Sequence, residues 1–140
     1  IRFVSLSADD DAAVQAVEMG EFDTLQITCN ILDHEPGKII AAAREKDMGI
    51  IVKSPIANAI YEAPRPAADA GQWDLAQRRL SPEVIGDLPR VEASLRWLLN
   101  NADVHTAIVG TTNIAHLRDN IASAERGELP QDTYAAIAAA

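Results

Sequence analysis

The residues best suited to chemistry lie in the stretch His105-Thr-Ala-Ile-Val-Gly-Thr-Thr-Asn-Ile-Ala-His-Leu-Arg-Asp-Asn120. An apolar run stops at Gly110, two hydroxyls follow, and apolar residues resume at helical spacing at Ile114, Leu117 and Ile121, behind Asn113. Asn113 suits an N-cap, because its side-chain oxygen can accept from one of the amides that a helix leaves unpaired at its start. The positive end of the helix dipole lies there too, so such a turn favours an anion, phosphate above all. Thr111, Thr112 and Asn113 add side-chain donors. βα loops whose Thr and Asn merely cap a helix have the same composition, so the stretch takes its meaning from the elements around it.

Those elements belong to a chain of 140 residues, 48% hydrophobic and 24% charged, which suits one globular domain over 1–140 with a substantial core. A net charge of −9 leaves no basic face for nucleic acid or an anionic membrane as main partner. Cys29 is the only cysteine, so an intramolecular disulfide and a cysteine-rich zinc site are excluded, in keeping with a cytoplasmic protein. No apolar run approaches the roughly twenty residues of a membrane span. Because Ile1 opens in the middle of an apolar run without an initiator Met, the chain is expected to be a truncated piece of something longer.

Along the chain, a strand unit and a helix unit alternate. Ile1 to Ser7 reads as a first strand, and Asp9-Asp-Asp11 suits the start of a helix with Ala13, Val14, Ala16 and Val17 on its apolar side and Gly20 as its stop. Phe22 to Asn30 alternates, with Leu25 and Ile27 on one side and Gln26 and Thr28 on the other. Pro36 opens the next helix, which buries Ile39, Ile40 and Ala43, and Met48 to Lys53 is a third strand closed by Ser54-Pro55. From Ala57 to Arg79 prolines and polar residues break the rhythm, giving a long loop with room for a short helix. Helices follow at Ser81-Pro82 and Pro89, the latter burying Val91, Leu95, Leu98 and Leu99; Ala107 to Val109 is a fourth strand, and Pro130 starts a last helix. Four βα units in succession favour a parallel sheet.

Four stretches in this order resemble an aldo-keto reductase: Phe22-Asp-Thr-Leu-Gln-Ile-Thr-Cys-Asn-Ile-Leu32, Gly49-Ile-Ile-Val-Lys-Ser-Pro-Ile-Ala-Asn58, Ser94-Leu-Arg-Trp-Leu-Leu99, and Ala107-Ile-Val-Gly-Thr-Thr-Asn113 with Asp119-Asn120. The resemblance covers nearly the whole chain and implies an α/β fold of the (β/α)8 TIM-barrel type, of which this chain supplies the C-terminal half, strands five to eight. It implies an NAD(P)H-dependent oxidoreductase that reduces a small-molecule carbonyl, with NADP, or else NAD, as cofactor. In the family a Ser-Asn pair and a Gln hold the nicotinamide carboxamide, which falls on Ser7, Ala8 and Gln26; Ala8 departs from the pattern. Lys53 occupies the place of the aromatic residue that often stacks under the nicotinamide, and Ser54, Pro55 and Ile56 continue that turn. The adenosine 2′-phosphate and adenine map onto Gly110, Thr111, Thr112, Asn113, His116, Asp119 and Asn120, where His116 replaces the Arg of many members.

The family's catalytic Asp, Tyr, Lys and His lie in the missing first half, so the resemblance assigns no catalytic residue to this chain and no metal. Tyr61 reads as an amphipathic surface residue, His34 as a solvated histidine, and His105 and His116 lack metal-ligand spacing. Four strands leave two unpaired edges. With Phe3, Leu25, Ile51 and Ile108 expected on an uncovered inner face, the isolated chain should be a homo-oligomer. The rival reading is a catalytically inert half-barrel that binds a nucleotide or self-assembles.

Overall fold

Alternation of branched and polar side chains in Thr24-Leu-Gln-Ile-Thr28 and Gly49-Ile-Ile-Val-Lys53 builds the two central strands of a four-stranded parallel sheet. The computed structural model describes residues 1–62 and 70–140. Its strands are β1 (Ser5–Ser7), β2 (Thr24–Thr28), β3 (Gly49–Lys53) and β4 (Thr106–Ile108), paired in sequential order. The helices are α1 (Asp10–Met19), α2 (Gly37–Glu45), α3 (Ala70–Arg79), α4 (Pro82–Ile85), α5 (Arg90–Leu99), α6 (Ile114–Glu125) and α7 (Gln131–Ala139). An order that never reverses, joined by crossovers of one hand, puts the connecting helices on one side of the sheet. That is the winding of a barrel segment and not of a doubly wound sheet.

The register sorts the side chains. Leu6, Leu25 and Ile50 stand side by side, as do Ile27, Val52 and Ala107, and Leu25, Ile27, Ile50 and Val52 are wholly buried in the main core with Ala13, Val17, Ile40 and Ala43. Ser7, Gln26, Ile51 and Thr106 form the next row across the opposite face, and Thr28, Lys53 and Ile108 the row beyond it. Leu25 therefore belongs to the covered face and not to the inner one expected for it. The inner face is mostly polar, with Ile51 and Ile108 its apolar members. At its lower end Gly49 packs closely on β2: a Cβ there would come within 2.9 Å of Thr24 Cγ2, so the threonine side chain would have to shift.

Local signals explain the ends of elements. Gly20 ends α1 in the left-handed conformation, φ 68°, and Asn113 caps α6 by accepting from the Ala115 amide at 2.9 Å. Other expectations shift. The first strand shrinks from Ile1–Ser7 to β1, Val14 is exposed, and part of the expected long loop is α3; residues 63–69 of that loop lie outside the described residues. The apolar stripe of α6 is turned outward, with Ile114 62%, Leu117 43% and Ile121 51% exposed. Tyr61 is buried and not at the surface, and His34 is half-buried with its ring 5.7 Å from that of Trp97. Among the described residues no helix is long and apolar enough to cross a membrane.

Candidate functional site

At the C-terminal ends of β3 and β4 the chain opens into a cavity of about 1020 Å³. Lys53, Ser54, Pro55 and Ile56 line one wall, and Gly110, Thr111, His116, Asp119 and Asn120 line another. Nine of the expected site residues thus converge, although the two turns are more than fifty positions apart in sequence. The remaining four are not part of its lining. Ser7 ends β1 and pairs with Gln26 in the middle of β2. Thr112 and Asn113 belong to the turn itself but not to the wall.

The turn before α6 spends part of its polarity on itself. Thr111 Oγ1 accepts from the Asn113 amide at 3.1 Å, and Asn113 Oδ1 from Ala115. Asn113 is therefore a capping residue first. The other amides of the first turn have no intrahelical acceptor, and they keep the site suited to an anion. His116, Asp119, Asn120 and Ser123 recur at helical spacing along the face of α6 that borders the cavity.

That face is aimed by a charge cluster that the sequence did not suggest. Glu92 of α5 is buried and receives Arg96 Nη1 at 2.9 Å on Oε1 and Arg126 on Oε2. Arg96 also donates to the carbonyls of Gly127 at 2.9 Å and Glu128 at 2.6 Å, tying the segment after α6 back onto α5. Asn100 Oδ1 accepts from the Leu129 amide at 2.8 Å in the same seam. The spacing of Glu92 and Arg96, one helical turn apart, was the available signal.

The opposite wall is strained. After β3, Ser54, Ala57, Asn58 and Ala59 all have positive φ, 54°, 47°, 53° and 52°. None is glycine, and the left-handed conformation costs an L-residue about 1–2 kcal/mol. The next two residues hold the segment in place: Ile60 and Tyr61 are buried, and the Tyr61 carbonyl accepts from Arg90 Nη1 at 2.8 Å and Gln77 Nε2 at 3.4 Å. Burial pushes the Tyr61 phenol up to about 12, so it stays neutral and inside the core.

A second unforeseen residue is Asp9. Lys53 Nζ lies 2.8 Å from Asp9 Oδ2 and 3.3 Å from Ser7 Oγ, while Asp9 Oδ1 accepts from the Thr28 amide at 2.7 Å. The bridge spans the end of β2 and ties three strand ends together. Burial raises the Asp9 carboxyl, but hydrogen bonds from Lys53 and Thr28 outweigh it and hold the group below its ordinary value. Asp9 stands at the N-cap position of α1 without capping it. Its place two residues after Ser7, in the same βα turn, was the only hint.

Comparison with known proteins identifies the family and the fold. The Aldo/keto reductase family matches residues 1–140. The chain belongs to that family. The aldo-keto reductase AKR11C1 from Bacillus halodurans, in its holo form, superposes with a TM-score of 0.81 at 19% identity, covering 99% of this chain and 50% of that one. Its apo form gives a TM-score of 0.81 at 18% identity, with the same coverage. The chain thus spans half the length of these structures, and its four βα units are half of an aldo-keto reductase barrel. No curated protein sequence matches it.

The donor set fits a dinucleotide. An anion-favouring helix start and the Thr111 hydroxyl border a cavity at the upper end of the small-molecule range, and the polar side chains of Ser7 and Gln26 stand on the same open face of the sheet. Among the described residues no three His, Cys, Asp or Glu side chains are grouped as metal ligands. Cys29 is buried, and burial raises its thiol to about 11, far from a reactive thiolate.

Proposed function

We propose that this chain is the cofactor-holding half of an NAD(P)H-dependent oxidoreductase that reduces a small-molecule carbonyl in the cytoplasm. The observation that carries the reading is the convergence of Lys53, Ser54, Pro55 and Ile56 with Gly110, Thr111, His116, Asp119 and Asn120 around one cavity at the strand ends. When bound, NADPH supplies the hydride. The chain's own residues bind and orient. Thr111, His116 and the amides that open α6 take the phosphate end, with Asp119 and Asn120 toward the adenine. Ser7 and Gln26 take the carboxamide, and Ser54 to Ile56 form the wall between.

Titration with NADPH tests this. Thr111→Ala and His116→Ala each remove a donor to a charged group, worth about 1.5–3 kcal/mol, so each should weaken binding roughly ten- to a hundredfold. Unchanged affinity in both variants would overturn the assignment. Asn113 is the poorer probe, because its oxygen already caps α6.

One observation favours self-association of the isolated chain as well. Phe3 beside β1, and Ile108, Ile114, Leu117 and Ile121 along β4 and α6, are exposed at the two sheet edges. Four strands are half of the eight that close such a barrel, so a second copy can supply both the missing pairing and the missing cover. Light scattering over a dilution series should report a dimer or larger species, and a monodisperse monomer at all concentrations would remove this reading.

A further inference from the structure

The bridge between Lys53 and Asp9 contributes only modestly to stability. Both side chains are partly open to solvent, and ion pairs in such positions contribute little to stability. Yet the pair stands on the open face at the strand ends, with Lys53 in the cavity wall and Ser7 within 3.3 Å of its ammonium. It lies in the row next to Gln26, where the proposed function puts the carboxamide and hence the redox ring of the cofactor. A fixed pair of opposite charges there calls for an electrostatic role.

The two forms of that ring differ by one charge, since the oxidised nicotinamide is a pyridinium cation and the reduced ring is neutral. A nearby carboxylate favours the oxidised form and a nearby ammonium opposes it, while neither acts on the reduced form through net charge. We propose that Asp9 and Lys53 form a balanced charge pair that sets the relative affinity of the site for oxidised and reduced nicotinamide cofactor, Asp9 favouring the cation and Lys53 opposing it. The proposal rests on the assignment of the cavity to a nicotinamide cofactor. It gives Lys53 an electrostatic role where an aromatic side chain would give only a stacking surface, and it gives a partner to a residue the family pattern leaves unassigned.

The test is equilibrium binding of NADP+ and of NADPH, at one ionic strength, to the wild-type protein, Asp9→Asn, Lys53→Met and the double variant. Asn at position 9 keeps an acceptor for the Thr28 amide, and Met at 53 keeps the apolar stem, so each change removes mainly charge. In Asp9→Asn, NADP+ should weaken about tenfold more than NADPH, the scale on which one charge disturbs another in a partly solvated site. In Lys53→Met the ratio should move the other way by a similar factor. In the double variant it should return near the wild-type value. Variants that lower the affinity for both forms equally would show that the bridge merely positions the turn, and would overturn the inference while leaving the cofactor assignment intact. A wild-type protein that binds neither form would overturn both.

Discussion

Neighbouring residues of the same strands live in opposite surroundings. Leu25, Ile27, Ile50 and Val52 are sealed under the helices, whereas Gln26, Thr28, Ile51 and Lys53, each one position away, face the open side. The covered face holds the protein together through apolar burial, and the open face carries the polar groups to which we assign cofactor binding. A strand's period of two lets one short segment do both, and it separates the two duties by a single residue. The βα turns extend the division, since each must leave a helix on one side and present polar groups on the other.

Two adjacent isoleucines give the sharpest way to break this comparison. Ile50→Ala removes a fully buried side chain and should cost about 2–5 kcal/mol, whereas Ile51→Ala removes one that is only partly buried and should cost less, about 1 kcal/mol. Urea denaturation of the two variants checks this. Equal losses would mean that the open face is covered in solution, as a second copy would cover it.

The division was only half legible in the sequence. Alternation through Thr24-Leu-Gln-Ile-Thr28 separates two sets of side chains but cannot say which set meets the helices, because in a closed barrel both sides are buried; hence the misplacement of Leu25. Gly20 and Asn113 announced their helix ends, because capping is local chemistry between residues a few positions apart. The convergence of the Lys53 and Gly110 turns followed from the family resemblance and the parallel order. The left-handed run at Ala57, Asn58 and Ala59 left no trace, since alanine does not mark positive φ; it leads directly into the buried Ile60 and Tyr61. Asp9 and Lys53 are far apart in sequence and meet only through the pairing of β1, β2 and β3.

A smaller effect should separate the faces by pH, and its sign comes from the bridge. The covered face holds no ionisable side chain within its strands. On the open side, Asp9 is bound below its ordinary carboxylate value by Lys53 and the Thr28 amide, which outweigh the opposing effect of burial. A group whose pKa is lower folded than unfolded adds stability above its unfolded value, about 3.9 for Asp, and that stability is lost as pH falls through the folded value. Wild-type protein should therefore lose more stability than Asp9→Asn as pH drops through that window, and the two should converge once Asp9 is protonated in both the folded and the unfolded chain. Because the pair is partly exposed, salt should shrink the difference. Thermal unfolding of both proteins from neutral pH to about 3 measures it, and parallel curves across the whole range would show that Lys53 does not hold the carboxylate in solution.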